Sequence, residues 1–133
     1  MENKSIIQVD PELVRKADHA QELGELIKPL TRDIHLFDSF IAGTSYLKDP
    51  GILQKAVIGD TLTLRRERDN RFDDNAIMIL NGNGEKYGYI PEKDNMVIAR
   101  LMDAGKLIAA KIKNIQAKGS FTMISIGIYL TDF

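Results

Sequence analysis

Two periodicities divide the chain. Over residues 11–28, Leu13, Ala17, Ala20, Leu23 and Ile27 recur at spacings of four and three, which places them on one face of a helix. Asp10 can cap the free N–H groups at its start, and Pro11 suits the first helical position. Gly24 weakens its interior by about 1 kcal/mol relative to alanine, and Pro29 ends it. From His35 onward the apolar positions alternate or form short runs, which is the pattern of strands. Strands are expected over 35–42, 59–66, 76–80, 86–90, 106–116 and 121–130. Asn81-Gly82-Asn83-Gly84 reads as a hairpin turn, and Lys48-Asp49-Pro50-Gly51 as another turn. Pro91 closes the fourth strand, Asp94 can cap a helix over 95–104, and Gly105 is a natural stop. Met96, Val97, Ala99, Leu101 and Met102 supply most of that helix's apolar bulk. In the last strand Ile124, Ile126, Ile128 and Leu130 share the core face. Phe121, Met123, Ser125, Gly127 and Tyr129 share the other, where Gly127 leaves room for a close neighbour.

About six short strands, tight turns and one inserted helix predict a mainly β fold, a small and partly closed antiparallel barrel. The expected organisation is an N-terminal helical arm over 1–33 and a barrel domain over 34–133. The amphipathic arm must lie on something, either the barrel or a second copy in a homodimer.

Composition narrows the chemistry. The chain has 133 residues, 44% of them apolar and 28% charged, which suits a globular domain with a real core. No apolar run approaches the roughly 20 residues needed to span a bilayer, so no membrane is expected as a partner. The first five residues lack the apolar core of a signal peptide, and a cytoplasmic location is the expectation. There are no cysteines and two isolated histidines, His19 and His35, so neither a disulfide nor a metal site is expected. No cofactor is implied. Net charge is -1, which argues against strong non-specific binding to DNA. Residues 1–34 carry five Lys/Arg against seven Asp/Glu, and residues 35–133 carry thirteen against twelve, so neither part is a basic domain.

Catalytic constellations are thin. The glycine-rich turn at 81–84 lacks the following lysine and the strand–helix context of a phosphate loop. Asp73 and Asp74 are adjacent, so on a strand they would point apart and not share a proton or metal. No histidine stands in a triad pattern. No catalytic residue is assigned, and the chain is read as a non-enzyme.

Binding constellations are better. In the segment 70–77, NRFDDNAI, turn chemistry explains the Asn and Asp residues. It does not explain Phe72, a large ring between a cation and a carboxylate. Arg65, Arg66, Arg68 and Arg71 fall within seven residues, interleaved with Glu67, Asp69, Asp73 and Asp74. That spacing by itself favours a salt-bridged solvent face over a phosphate-contacting rim. Tyr46, Tyr89 and Phe121 are further aromatics beside turns or strand ends. Such rings are more often core than ligand platforms, but stacking a base on one contributes about 1–3 kcal/mol.

Several blocks in order resemble the HIRAN domain family: 41–46 (IAGTSY), 59–66 (GDTLTLRR), 70–77 (NRFDDNAI), 88–91 (GYIP) and 98–103 (IARLMD). The resemblance covers about three quarters of the chain and leaves out the arm. It implies a modified, OB-like β-barrel with helical insertions. It also implies a module that binds the 3′ end of single-stranded DNA in DNA repair or replication-fork processing, beside a helicase or nuclease. In that binding mode aromatics sandwich the last bases, an aspartate accepts from the 3′-hydroxyl, and basic groups hold phosphates. Position by position, Asp73 is similar to the hydroxyl acceptor. Phe72 stands where the family often has tyrosine, Tyr46 looks like the stacking aromatic after Gly43, and Phe121 resembles the aromatic at the second base. Asn70 matches the asparagine ahead of the aromatic–aspartate pair. The sequence departs at Ser45, Tyr89 and Glu92, where the DNA-binding relatives carry arginine, histidine and lysine. Lys93, Arg71 and Arg68 are the cations left to stand in. The expected nucleic-acid-binding set is therefore Tyr46, Asn70, Arg71, Phe72, Asp73, Tyr89 and Phe121. The rival expectation is a non-catalytic protein-interaction or adaptor module that has lost strong DNA binding.

Overall fold

The computed structural model describes residues 32–132. The expected arm, its helix over 11–28 and dimerisation through it lie outside the described residues. The described residues form six strands and one α-helix: β1 Arg32–Phe40, β2 Thr61–Arg66, β3 Ile77–Leu80, β4 Lys86–Tyr89, α1 Glu92–Asp103, β5 Leu107–Lys118 and β6 Phe121–Asp132. They form a single sheet in the order β1-β6-β5-β2-β3-β4. β2 is antiparallel to both β3 and β5, with Leu64 opposite Ile79 and Leu62 opposite Ala110. β3 and β4 form the hairpin expected around 81–84, with a register shift at Ile79/Leu80.

The sheet curls until its two edges meet. Just past β1, Ile41 N–H donates to Ile124 O on β6 (3.0 Å), while Ala42 and Tyr89 exchange both backbone hydrogen bonds (2.8 and 2.9 Å). That bridge joins the β1 side to β4 and makes the half-barrel. It depends on Gly88: a Cβ there would stand 2.4 Å from Ala42 O and 2.7 Å from Ile41 Cγ2, closer than real contacts allow.

The core follows the alternation. Leu62, Leu64, Ile77, Ile79, Ile112, Ile124, Ile126 and Ile128 are buried, and Leu130 packs against them. On the other face of β6, Gly127 leaves space that the Tyr129 ring and the Lys113 stem fill. Three expectations are corrected. β1 begins at Arg32 and ends at Phe40, since Ala42 pairs with β4 instead of continuing the strand. The turn at 48–51 opens a 3-10 helix, Pro50–Lys55, because the Asp49 carboxylate accepts from Gly51 N–H and Pro50 suits the first position. α1 starts at Glu92 with Pro91, not Asp94, at its N-cap. The Asp94 carboxylate instead accepts from Ser39 Oγ and Lys93 Nζ. The buried side of α1 is Asn95, Ile98 and Ala99, while Met96 and Val97 face solvent.

Candidate nucleic-acid interface

The connection from β2 to β3 is built by its own polar side chains. Glu67 N–H donates to Ala76 O, and Asn70 N–H to Glu67 O. Asn70 Oδ1 then accepts from the N–H groups of both Phe72 and Asp73 (2.9 and 3.0 Å). Asp73 Oδ1 accepts from Asn75 N–H at 2.8 Å. These side-chain-to-backbone bonds fold the segment into consecutive tight turns. With Asn70 and Asp73 turned inward, Phe72 is pushed out and stands 92% exposed. A phenylalanine so exposed contributes almost nothing to the core.

α1 fixes the far side of the loop. Asn95, 3% exposed, donates through Nδ2 to Asp73 Oδ2 at 2.7 Å. Each Asp73 oxygen thus holds one donor from the protein and keeps a second lone pair. The Arg66 side chain, 11% exposed, donates to Asp74 O, Ala76 O and the Asp103 carboxylate. Arg68 reaches the same carboxylate at 2.8 Å. These two arginines clamp the loop to α1, as the salt-bridged reading of their spacing anticipates. Arg65 lies against Met78 Sδ. Arg71 is exposed and holds no hydrogen bond or ion pair among the described residues.

On the near side, Glu67 Oε1 accepts from Asn70 Nδ2 (2.6 Å) and from the Tyr89 hydroxyl (2.8 Å). The Asn70 amide holds the Glu67 carboxyl below the ordinary glutamate range against the opposing effect of burial, and Tyr89 adds to it. Burial first, and then the Glu67 carboxylate, push the Tyr89 phenol up to about 12. Tyr89 therefore spends its single proton on Glu67. Lys86 covers its ring at 4.4 Å and donates to its oxygen at 3.3 Å. Lys86 also lines a cleft of about 390 Å³ with Tyr46, Leu47, Lys48, Asp49 and Ile52. Gly43, at φ 74°, makes the left-handed turn into the short helix Thr44–Tyr46, which leaves Tyr46 90% exposed.

Contacts through Glu67 therefore join Tyr89 to Asn70, Phe72 and Asp73, and Lys86, which covers Tyr89, lines the same cleft as Tyr46. The sequence reading missed both linking residues. Lys86 lay in an ordinary strand, and Glu67 among alternating charges. No local signal marks either one: Lys86 is three residues from Tyr89, and Glu67 is five from Phe72. Phe121 is 46% exposed at the start of β6. Among the described residues no ring pairing joins it to Tyr46 or Phe72. It shares a strand face with Met123 and Ser125, which line a separate groove with Phe40, Lys93 and Lys113. In that groove Lys93 lies 5.7 Å from the Phe40 ring centre and 2.9 Å from Asp94. Ser45 and Glu92 are exposed. The described residues hold no cluster of metal-ligating side chains and no helix long and apolar enough to cross a membrane.

Comparison with solved structures places the fold. A protein from Lactobacillus plantarum matches with a TM-score of 0.71 at 24% identity, over 77% of this chain and 99% of its own. The crystal structure of the HIRAN domain of human HLTF matches with a TM-score of 0.59 at 20% identity, over 74% of this chain and 78% of its own. The NMR structure of the HLTF HIRAN domain gives 0.52 at 20%, over 75% and 80%. At these identities the likeness is one of fold. No curated protein matches. The family model described as the HIRAN domain matches residues 34–131, from the third residue of β1 to the last but one of β6. By that match, and with the half-barrel and inserted helix its relatives share, the chain belongs to the HIRAN domain family.

Proposed function

We propose that this domain is a nucleic-acid-binding module that recognises single-stranded DNA through a free 3′-hydroxyl end. The observation that carries the reading is the exposed Phe72 ring beside a positioned Asp73 carboxylate. A base stacks on the ring, and the terminal hydroxyl donates to a free lone pair of Asp73. Stacking is tolerant of sequence and contributes about 1–3 kcal/mol per base. The carboxylate supplies the selectivity, because it accepts from a hydroxyl and repels a phosphate that continues the strand. Tyr46 and Phe121 are further platforms, and Arg71 is a cation with no partner among the described residues. The role that follows is DNA-end handling in repair or replication-fork processing, beside a helicase or nuclease in the cytoplasm, with no chemistry performed by the domain itself.

Fluorescence anisotropy tests this with oligonucleotides ending in a 3′-hydroxyl or a 3′-phosphate. The hydroxyl strand should bind more tightly, and Asp73→Asn should narrow the gap. Equal affinity for the two ends would remove the role of Asp73. The adaptor reading keeps one observation in its favour, the solvent-facing Met96 and Val97 on α1. Absence of oligonucleotide binding at low salt, with dimerisation lost on deleting residues 1–30, would select it.

A further inference from the structure

We propose that the cleft at the opposite end of β2 from the Phe72 loop binds a neutral polyhydroxylated molecule of pentose or hexose size. The cleft has a volume of about 200 Å³, and Lys55, Asp60, Thr61, Leu62, Asn81 and Tyr87 line it. The loop that carries Phe72 and Asp73 follows Arg66 at the end of β2, whereas Thr61 opens the strand. Strand length alone therefore sets the two sites about 17 Å apart. The proposal is independent of the DNA-binding reading.

Tyr87 carries the inference. It is 1% exposed, and its ring belongs to the hydrophobic core. It lines the cleft, yet its hydroxyl makes no hydrogen bond with any described residue. A buried hydroxyl without a partner is costly, and native structures rarely leave one so. Phenylalanine would fill the same core space and leave nothing unpaired. The hydroxyl therefore marks a place where a polar partner arrives from the cleft.

The surrounding groups decide the class of ligand. Asp60 is fixed by a tight turn: its N–H donates to Val57 O, and its Oδ2 accepts from Val57 N–H at 2.9 Å. Its Oδ1 remains as an acceptor. Lys55 Nζ gives to both Glu85 oxygens at 3.1 Å and keeps an N–H. Asn81 Oδ1 is spent on the N–H groups of Asn83 and Glu85, while Nδ2 donates one proton to Glu85 and keeps the other. Thr61 adds an exposed hydroxyl with no partner among the described residues. Donors and acceptors are thus interspersed. An anion would meet the Asp60 carboxylate, and a cation would meet the Lys55 ammonium. A nucleobase would find no ring to stack on, since Tyr87 presents no exposed face. Hydroxyl groups donate and accept at once, so several on one small carbon frame match this set.

The test is a proton–nitrogen correlation NMR titration of the full chain with D-ribose and D-glucose, with inorganic phosphate and adenine as contrasts. Ligands of about ten heavy atoms reach millimolar affinity, so each compound is taken through that range. At least one sugar should shift the amide signals of Asp60, Thr61, Gly82 and Asn83 saturably and leave those of residues 70–76 in place. Phosphate and adenine should leave all of them in place. Tyr87→Phe should fold with an equal or higher thermal midpoint and weaken the sugar by roughly five- to tenfold, the loss of one hydrogen bond. Asp60→Asn keeps an oxygen for Val57 and turns the cleft-facing acceptor into a donor, so it should weaken the sugar at least as much. Unmoved signals with both sugars would overturn the proposal and leave the cleft to water. Saturation of these amides by phosphate or adenine would overturn the class of ligand. Sugar binding at full strength in Tyr87→Phe would overturn the reading of the hydroxyl.

Discussion

Asn95, in the first turn of α1, donates a 2.7 Å hydrogen bond to Asp73, 22 positions earlier. It is one of the few buried polar side chains of the domain, at 3% exposure. A buried amide without a partner costs about 1–3 kcal/mol, so Asn95 and Asp73 hold each other in place. Asn95→Asp would set two carboxylates face to face, and one would have to take up a proton. The variant should lose about 2 kcal/mol or more in urea unfolding at pH 7 and recover part of it at pH 5. Equal stability at the two pH values would show that the pair is not the contact that matters.

Gly88 and Ala42 meet where the sheet closes. A methyl at Gly88 would collide with the Ala42 carbonyl, which itself accepts from Tyr89 N–H. Backbone at that point has little freedom to give way. Gly88→Ala should cost about 3 kcal/mol, from overpacking and from strain in the two bridging hydrogen bonds. The same change moves the Tyr46 turn away from Tyr89, so oligonucleotide affinity should fall even below the unfolding transition. Thermal unfolding followed by anisotropy at a temperature where the variant is folded would separate the two effects.

The barrel was legible from period-two alternation because its core residues occupy alternate positions. Leu62 and Leu64 in β2, and Ile124, Ile126 and Ile128 in β6, have no other environment that suits them. Closure was less legible. The Ala42–Tyr89 bridge joins residues 47 apart, and nothing local at either announces the other. The site divides the same way. Asn70 and Asp73 read as turn formers, and they are turn formers. Their inward rotation is what exposes Phe72, so a local rule accounts for a residue it seemed to exclude. The charge-rich run from Arg65 to Arg71 is the salt-bridged face its spacing favours, but its main partner is distant: Asp103, 35 residues beyond Arg68, takes two of its four arginines. Spacing within the run carries no sign of that partner. Glu67 escaped notice because its partner Tyr89 lies 22 residues on, and Lys86 because residues three apart on a strand ordinarily point to opposite faces.

The hydrogen bonds at Glu67 predict a pH response on each side of neutrality. Its folded pKa lies below the ordinary value of 4.5. The stabilisation is therefore fully present above that value and is lost as pH falls through the folded pKa. Asp38, Glu85, Asp94 and Asp103 are lowered as well, so the urea midpoint should hold near neutrality and drop below about pH 4.5. Glu67→Gln should make that acid limb shallower. At high pH the sign reverses in position. Tyr89 is raised from 10.0 to about 12, so its contribution is present below pH 10 and lost as pH rises through the folded value. Phenolate absorbance should show one tyrosine ionising well above its ordinary value, and Tyr89→Phe should remove that step.

Phe72 separates stability from binding more cleanly than any other residue of the loop. At 92% exposure its ring contacts little of the protein, while its backbone N–H, which donates to Asn70 Oδ1, anchors the residue independently of the side chain. Phe72→Ala should therefore leave the unfolding free energy within about 0.5 kcal/mol of wild type. If a base stacks on the ring, single-strand affinity should fall by about 1–3 kcal/mol, a loss of roughly five- to 150-fold. Phe72→Tyr, which keeps the ring face, should restore binding, whereas Phe72→Leu, with similar apolar bulk and no π-face, should not. Restoration by leucine would mean that the position works as an apolar contact, the behaviour expected of a protein-docking surface. The tyrosine–leucine comparison thus decides between stacking and adaptor chemistry at the one residue where the two predict opposite results.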